Sequence, residues 1–152
     1  MTDSLTLASL SELHSLFTSL HAPEAEQRQG FFRAKFIGPW WLRLSGKPSV
    51  AISGLPGWQG KRFLDSDTAT NVLKKSNGTH IDRLSMTCVA GLSQIDGKLG
   101  VALHYGADAP KPWRWVRDEL RMVNTNTFLG MTIIDLPVLR RMAFPFLLVR
   151  EA

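Results

Sequence analysis

The sequence predicts a mainly β protein, an antiparallel β-barrel with an N-terminal helix and short capping helices. Three observations lead there. From Gly30 onward the chain falls into short apolar segments separated by turn residues, and several alternate with a period of two. Asn77-Gly78 and Asp96-Gly97 lie between such segments, where short turns with positive φ join antiparallel strands. Helical periodicity is strong in one place alone, which leaves too few helices to serve as crossovers between parallel strands. With 152 residues and 44% hydrophobic content there is material for one sizeable core. A single domain over residues 1–152 is therefore expected, with 1–29 as helix and connector and 30–152 as barrel.

The first helix is marked by Leu10, Leu13, Leu16, Phe17 and Leu20 at helical spacing, with Ser9 and Glu12 placed for a capping box. Pro23 and the polar run to Gly30 end it. A second, short helix is expected over 39–45, with Pro39 in its first position and Gly46 as its stop. Its Trp40, Trp41, Leu42 and Leu44 would cover something apolar. Strands are expected at 31–37, 49–53, 58–65, 71–76, 81–92, 99–105, 113–123, 127–135 and 144–150. In the fifth, Leu84, Met86, Cys88, Ala90 and Leu92 share one face and Ser85 and Thr87 the other. Leu99, Val101, Leu103 and Tyr105 repeat that pattern after the Asp96-Gly97 turn. Residues after Asp135 read as a helical turn and a closing strand, an apolar run too short to span a bilayer.

A formal net charge of +5 speaks first to solubility and non-specific association. The basic groups Lys61-Arg62, Lys74-Lys75 and Arg140-Arg141 are isolated pairs, and no helix-turn-helix, zinc-finger or aromatic strand signature accompanies them, so no specific nucleic-acid partner is expected. Cys88 is the one cysteine, which excludes an intrachain disulfide and a cysteine-based metal site and suits a reducing compartment. The opening "MTDSLTLASL" has neither a basic leader nor a long apolar core. A cytoplasmic location is the expectation from these two features.

The stretch "GLPGWQGKRF", Gly54 to Phe63, has the look of a phosphate-binding loop but not its spacing. Five residues rather than four separate Gly54 from Gly60, Arg62 stands where a magnesium-reaching hydroxyl belongs, and no helical stripe follows. A strand with Gly60 at a close backbone approach and Trp58 packed in the core or at the barrel mouth is the better reading. Trp58-Gln59-Gly60-Lys61-Arg62-Phe63 resembles the Trp-x-Gly-Lys-x-Phe element of an uncharacterised bacterial domain family named for a Gly-x-Trp-x-Gly signature. Asn124 to Gly130, "NTNTFLG", is similar to its Asp-x-Asp-Thr-x-Leu-Gly element, and with "PWRWVRDELR" the likeness spans residues 30–151. Pro56 replaces the first glycine of the signature, and Asn124 and Asn126 replace its acids. The resemblance implies a lipocalin-like barrel and no established activity.

His14, His21, His80 and His104 show no ligand spacing, so no metal and no cofactor is expected. His80 and Asp82 share one side of a strand beside a solvated turn. Cys88, among Leu84, Met86 and Ala90, reads as a small buried hydrophobe. The richest segment is "PWRWVRDELRMV". As a helix its stripe would be Trp113, Val116, Leu120 and Val123; as a strand, Trp113, Trp115, Arg117, Glu119, Arg121 and Val123 share one face. Turned inward, that face is an amphiphilic wall whose arginines can hold an anionic group; turned outward, it is a solvated charge ladder.

The leading expectation is an intracellular binding protein for a hydrophobic small molecule or lipid with a polar or anionic head, fatty-acid-like. Its ligand-binding residues would be Trp58, Tyr105, Trp115, Arg117, Glu119 and Arg121. Two alternatives stand beside it. One is an enzyme of unassigned reaction, isomerase- or cyclase-like, drawing its acid or base from Glu119, Asp118, His104 or Tyr105. The other is an oligomeric or membrane-surface interaction module using "WWLRL" and "FPFLLVR", with a homodimer or a peripheral membrane contact as the expected association.

Overall fold

The computed structural model describes residues 2–151, with side chains described from residue 4. Eight strands form one closed barrel in chain order, each antiparallel to the next and the last to the first. They are β1 (Gly30–Phe36), β2 (Trp58–Phe63), β3 (Thr68–Lys74), β4 (His80–Leu92), β5 (Leu99–His104), β6 (Val116–Asn124), β7 (Thr127–Ile134) and β8 (Phe144–Arg150). Three helices accompany them, α1 (Thr2–Thr6), α2 (Leu10–Ser19) and α3 (Trp40–Ile52). The expected antiparallel barrel is the observed architecture.

The helix α2 starts where the sequence places it. The Ser9 hydroxyl accepts from the Glu12 N–H at 3.1 Å and the Glu12 carboxylate accepts from the Ser9 N–H at 3.0 Å, so two backbone donors of the first turn are satisfied reciprocally. Its Leu13 and Phe17 are fully buried against Leu129, Met131 and Leu147 on the outer wall of the barrel. Burying those two side chains contributes about 3–6 kcal/mol. This layer explains why β7 and β8 are buried along nearly their whole length rather than alternately. The "FPFLLVR" segment is thus barrel wall, not the interaction surface that the sequence suggested.

The chain between β1 and β2 departs from expectation. One helix, α3, covers the segment read as a short helix over 39–45 and a strand over 49–53. Gly46 does not stop it, because the missing side chain is what lets the helix lie on Phe36; a Cβ there would sit 2.5 Å from that ring. Pro48 is tolerated inside the helix although it removes one backbone donor, on a stretch where no residue is fully buried.

Two bulges set which side chains enter the barrel. In β2 the pairing with β3 slips between Trp58 and Gly60, so Gln59 is extra and both Trp58 and Lys61 turn inward. In β4 the extra residue is Leu84, between the pairs Thr70 with Ser85 and Asn71 with Arg83, and its φ is 60°. Gly60 is required at its place, since a Cβ would run into the Phe32 carbonyl of β1. Inside, Phe32 stacks on Phe128 at 4.5 Å and meets Phe63 edge-on at 5.5 Å, a plug that fills one end of the barrel. The other end is hollow.

Candidate functional site

The hollow end is a cavity of about 380 Å³, at the lower end of the range for ligand sites. Its roof is the inner side of α3, with Leu42, Ser45, Gly46, Ser49 and Val50, and the adjoining Ser53, and its walls include Phe36, Trp58, Trp113 and Phe146. Small residues on the helix leave space where larger ones would fill it. On the wall, Gly130 does the same for Phe146, whose ring occupies the place a Cβ would take. The indole N–H of Trp113 donates to the Ser53 carbonyl at 2.6 Å, which ties the end of α3 to the rim.

The polar floor joins four strands or strand ends: Lys61 from β2, Asn71 from β3, Tyr105 just past β5 and Asp118 from β6. Lys61 is 2% exposed, and its ammonium reaches Asp118 Oδ2 at 3.1 Å, Asn71 Oδ1 at 3.0 Å and the Tyr105 hydroxyl at 3.1 Å. Three N–H donors thus meet three oxygens, and Met86 Sδ lies 3.4 Å from the ammonium as well. Burial works against that charge, but the Tyr105 oxygen and the Asp118 carboxylate outweigh it, and the Lys61 pKa lies above its ordinary value. The Thr132 hydroxyl donates to the other Asp118 oxygen at 2.7 Å.

The orientation of Asn71 follows from its neighbours. Trp58 Nε1 and Lys61 Nζ can only donate, and both meet Oδ1; the Leu84 carbonyl can only accept, and it meets Nδ2 at 3.2 Å. The bulge at Leu84 is therefore part of the site. Asn71 Nδ2 also donates to the Tyr105 hydroxyl at 3.1 Å. With Lys61 and Asn71 both donating to the phenol oxygen, its lone pairs are taken and its own proton is left to donate. No acceptor for that proton lies among the described residues. Burial raises the Tyr105 pKa, more than Lys61 and the Asn71 hydrogen bond lower it, so the phenol keeps its proton at neutral pH.

Of the residues expected to bind ligand, Trp58 and Tyr105 line this cavity. Trp115, Arg117, Glu119 and Arg121 do not. Trp113 to Trp115 form a 3-10 turn before β6, so Trp115 is off the strand and packs by Arg114 and Lys111. In β6 it is the opposite set, Val116, Asp118, Leu120 and Met122, that turns inward. The outward set is not a solvated ladder either. Glu119 and Arg121 are 3% and 2% exposed, covered by α2 and the 93–98 turn. Glu119 accepts from the Ser93 hydroxyl, the Gln94 N–H and Arg117. Arg121 grips Asp96 with two bonds at 2.7 and 2.8 Å and donates to the Phe17 carbonyl at the end of α2. These side chains fasten structure.

Among the acid and base candidates, Tyr105 and Asp118 reach the cavity, whereas Glu119 and His104 lie outside it. Burial first, and then the nearby Arg117, lower the His104 pKa. His80 is exposed and Asp82 pairs with Arg62 at 3.7 Å, so these two form no couple. Cys88 is buried, and burial raises its thiol pKa. No three His, Cys, Asp or Glu side chains gather as a metal-ligand set among the described residues. Lys61 and Asn71 escaped the sequence reading.

No family model matches the chain, and no curated protein does. Among solved structures, the crystal structure of a protein from Thermomonospora curvata is similar over 99% of this chain and 93% of that one, with a TM-score of 0.74 and 18% sequence identity. At that identity the likeness shows the fold: a closed eight-stranded barrel, an architecture that in general suits the binding of small molecules.

Proposed function

We propose that the barrel binds an apolar small molecule whose one polar group is a neutral hydrogen-bond acceptor, a carbonyl or hydroxyl oxygen. The observation that carries this reading is the spare O–H of Tyr105, on the hydrogen-bonded polar floor of a cavity whose surface is mostly apolar. An anionic head fits less well. The arginines expected to meet it lie outside, and the one cation in the cavity, Lys61, is already neutralised by Asp118. A buried carboxylate would stand there without a counter-ion, at a cost of several kcal/mol. The stretch that carries the family resemblance supplies Trp58 and Lys61 to this floor.

The test is a tryptophan-fluorescence titration with a methyl ketone, a primary alcohol and a carboxylate of one chain length. The ketone and alcohol should bind more tightly than the carboxylate. Tyr105→Phe should weaken the ketone by about 1 kcal/mol, roughly fivefold. A preference for the carboxylate would sink the reading. An enzyme on the same barrel is the second reading, favoured by the protonated Tyr105 beside the buried Lys61 and Asp118, a set able to polarise a carbonyl as general acid. Turnover of an unsaturated ketone that vanishes in Tyr105→Phe would favour it.

A further inference from the structure

The helix α3 carries apolar side chains on both of its sides. Leu42, Gly46 and Val50 line the cavity with Ser45, Ser49 and the adjoining Ser53, while Trp40, Leu44, Pro48 and Ile52 recur every fourth residue along the side toward solvent. Trp40, Leu44 and Ile52 are 66%, 71% and 87% exposed, and Trp41, which also edges the cavity, is 44% exposed. A ridge of this kind on a helix that roofs a cavity is not explained by folding, because burying it would have stabilised the protein and the fold leaves it outside.

We propose that this ridge is a docking surface for an anionic lipid membrane. The helix contains no acid, and Arg43 and Lys47 flank the ridge. Arg43 is held by its Nε donating to the Gly38 carbonyl at 3.0 Å, and Lys47 is exposed. Indoles and aliphatic side chains on one face with basic residues beside them are what an interfacial helix uses: the apolar face enters the headgroup boundary and the cations meet lipid phosphates. A second copy of the chain is the weaker occupant. A two-fold contact through the ridge would bring Arg43 and Lys47 toward their own copies with no acid in α3 to pair them. Docked this way, the roof of the cavity faces the lipid, and an apolar molecule passes between the two without crossing water.

The experiment is co-sedimentation of the full chain with phosphatidylcholine vesicles, with and without phosphatidylglycerol. The wild type should bind the phosphatidylglycerol vesicles and release with added salt. The triple variant Trp40→Ser, Leu44→Ser, Ile52→Ser should lose at least about tenfold in partitioning, with its melting temperature retained. Lys47→Glu, which alters no apolar residue, should weaken binding to the anionic vesicles and gives an answer even if the triple variant folds poorly. Three results would each overturn the proposal: no binding to either vesicle, equal binding to both, or binding that both variants keep. Sedimentation equilibrium showing a dimer that the triple variant dissolves would assign the ridge to a second copy instead.

Discussion

Replacing Lys61 with methionine isolates the energetics of the floor. The ammonium holds three oxygen acceptors, but they do not suffer equally from its loss. Asn71 Oδ1 keeps the Trp58 N–H, and the Tyr105 oxygen keeps Asn71. Asp118 keeps the Thr132 hydroxyl on one oxygen, while the other, 3.1 Å from Lys61 in the native protein, is left with a buried, unpaired charge. Removing one partner of a buried pair costs about 3–5 kcal/mol. Urea unfolding followed by tryptophan fluorescence should show a deficit of about 3–5 kcal/mol at pH 7. Lys61→Met with Asp118→Val, which removes both charges, should recover most of it. A deficit under about 1 kcal/mol would mean that the floor is wet and the ion pair weak.

Two further outcomes are expected. Arg121 holds the Asp96 carboxyl well below the usual carboxylate range, helped by the Lys98 N–H and opposed by burial, so Asp96 contributes stability that is complete above about pH 4 and is lost below it. Asp96→Asn should therefore cost about 2–4 kcal/mol at pH 7 and about 1 kcal/mol less than that at pH 3, read from urea midpoints at the two pH values. Gly60→Ala should cost about 3 kcal/mol or more, because its Cβ meets the backbone carbonyl of Phe32 and neither strand can retreat; a melting temperature near that of the wild type would contradict the close approach.

The strands were legible because alternation and turn chemistry agree over most of the barrel, as at Asn77-Gly78 and Asp96-Gly97, and α2 was legible through Ser9 and Glu12. Where the pattern misled, a tertiary contact had replaced a local rule. Gly46 reads as a helix stop but serves as a contact with Phe36. Trp58 and Lys61, three apart, cannot share a face in a regular strand, and the bulge at Gln59 that brings them together leaves no mark in composition. Leu84 hides its effect on Asn71 in the same way. In β6 both faces are covered, so the charged residues Glu119 and Arg121 gave no clue to which side met the core. A buried lysine paired across four strands cannot be read from neighbours in sequence, because its partners are 10, 44 and 57 positions away.

Arg121 also bears on the order in which the chain assembles. The outer pocket that receives Leu13 and Phe17 is made of β7 and β8, and the arginine that accepts the end of α2 belongs to β6. β1 likewise waits for β8 as one of its two neighbours. A helix synthesised before every strand of the barrel is thus among the last elements to find its place, and until then its apolar stripe has nowhere to dock. Synthesis that pauses before residue 127 would hold an open sheet with two free edges and a loose helix, the form of this protein most exposed to proteases and to self-association.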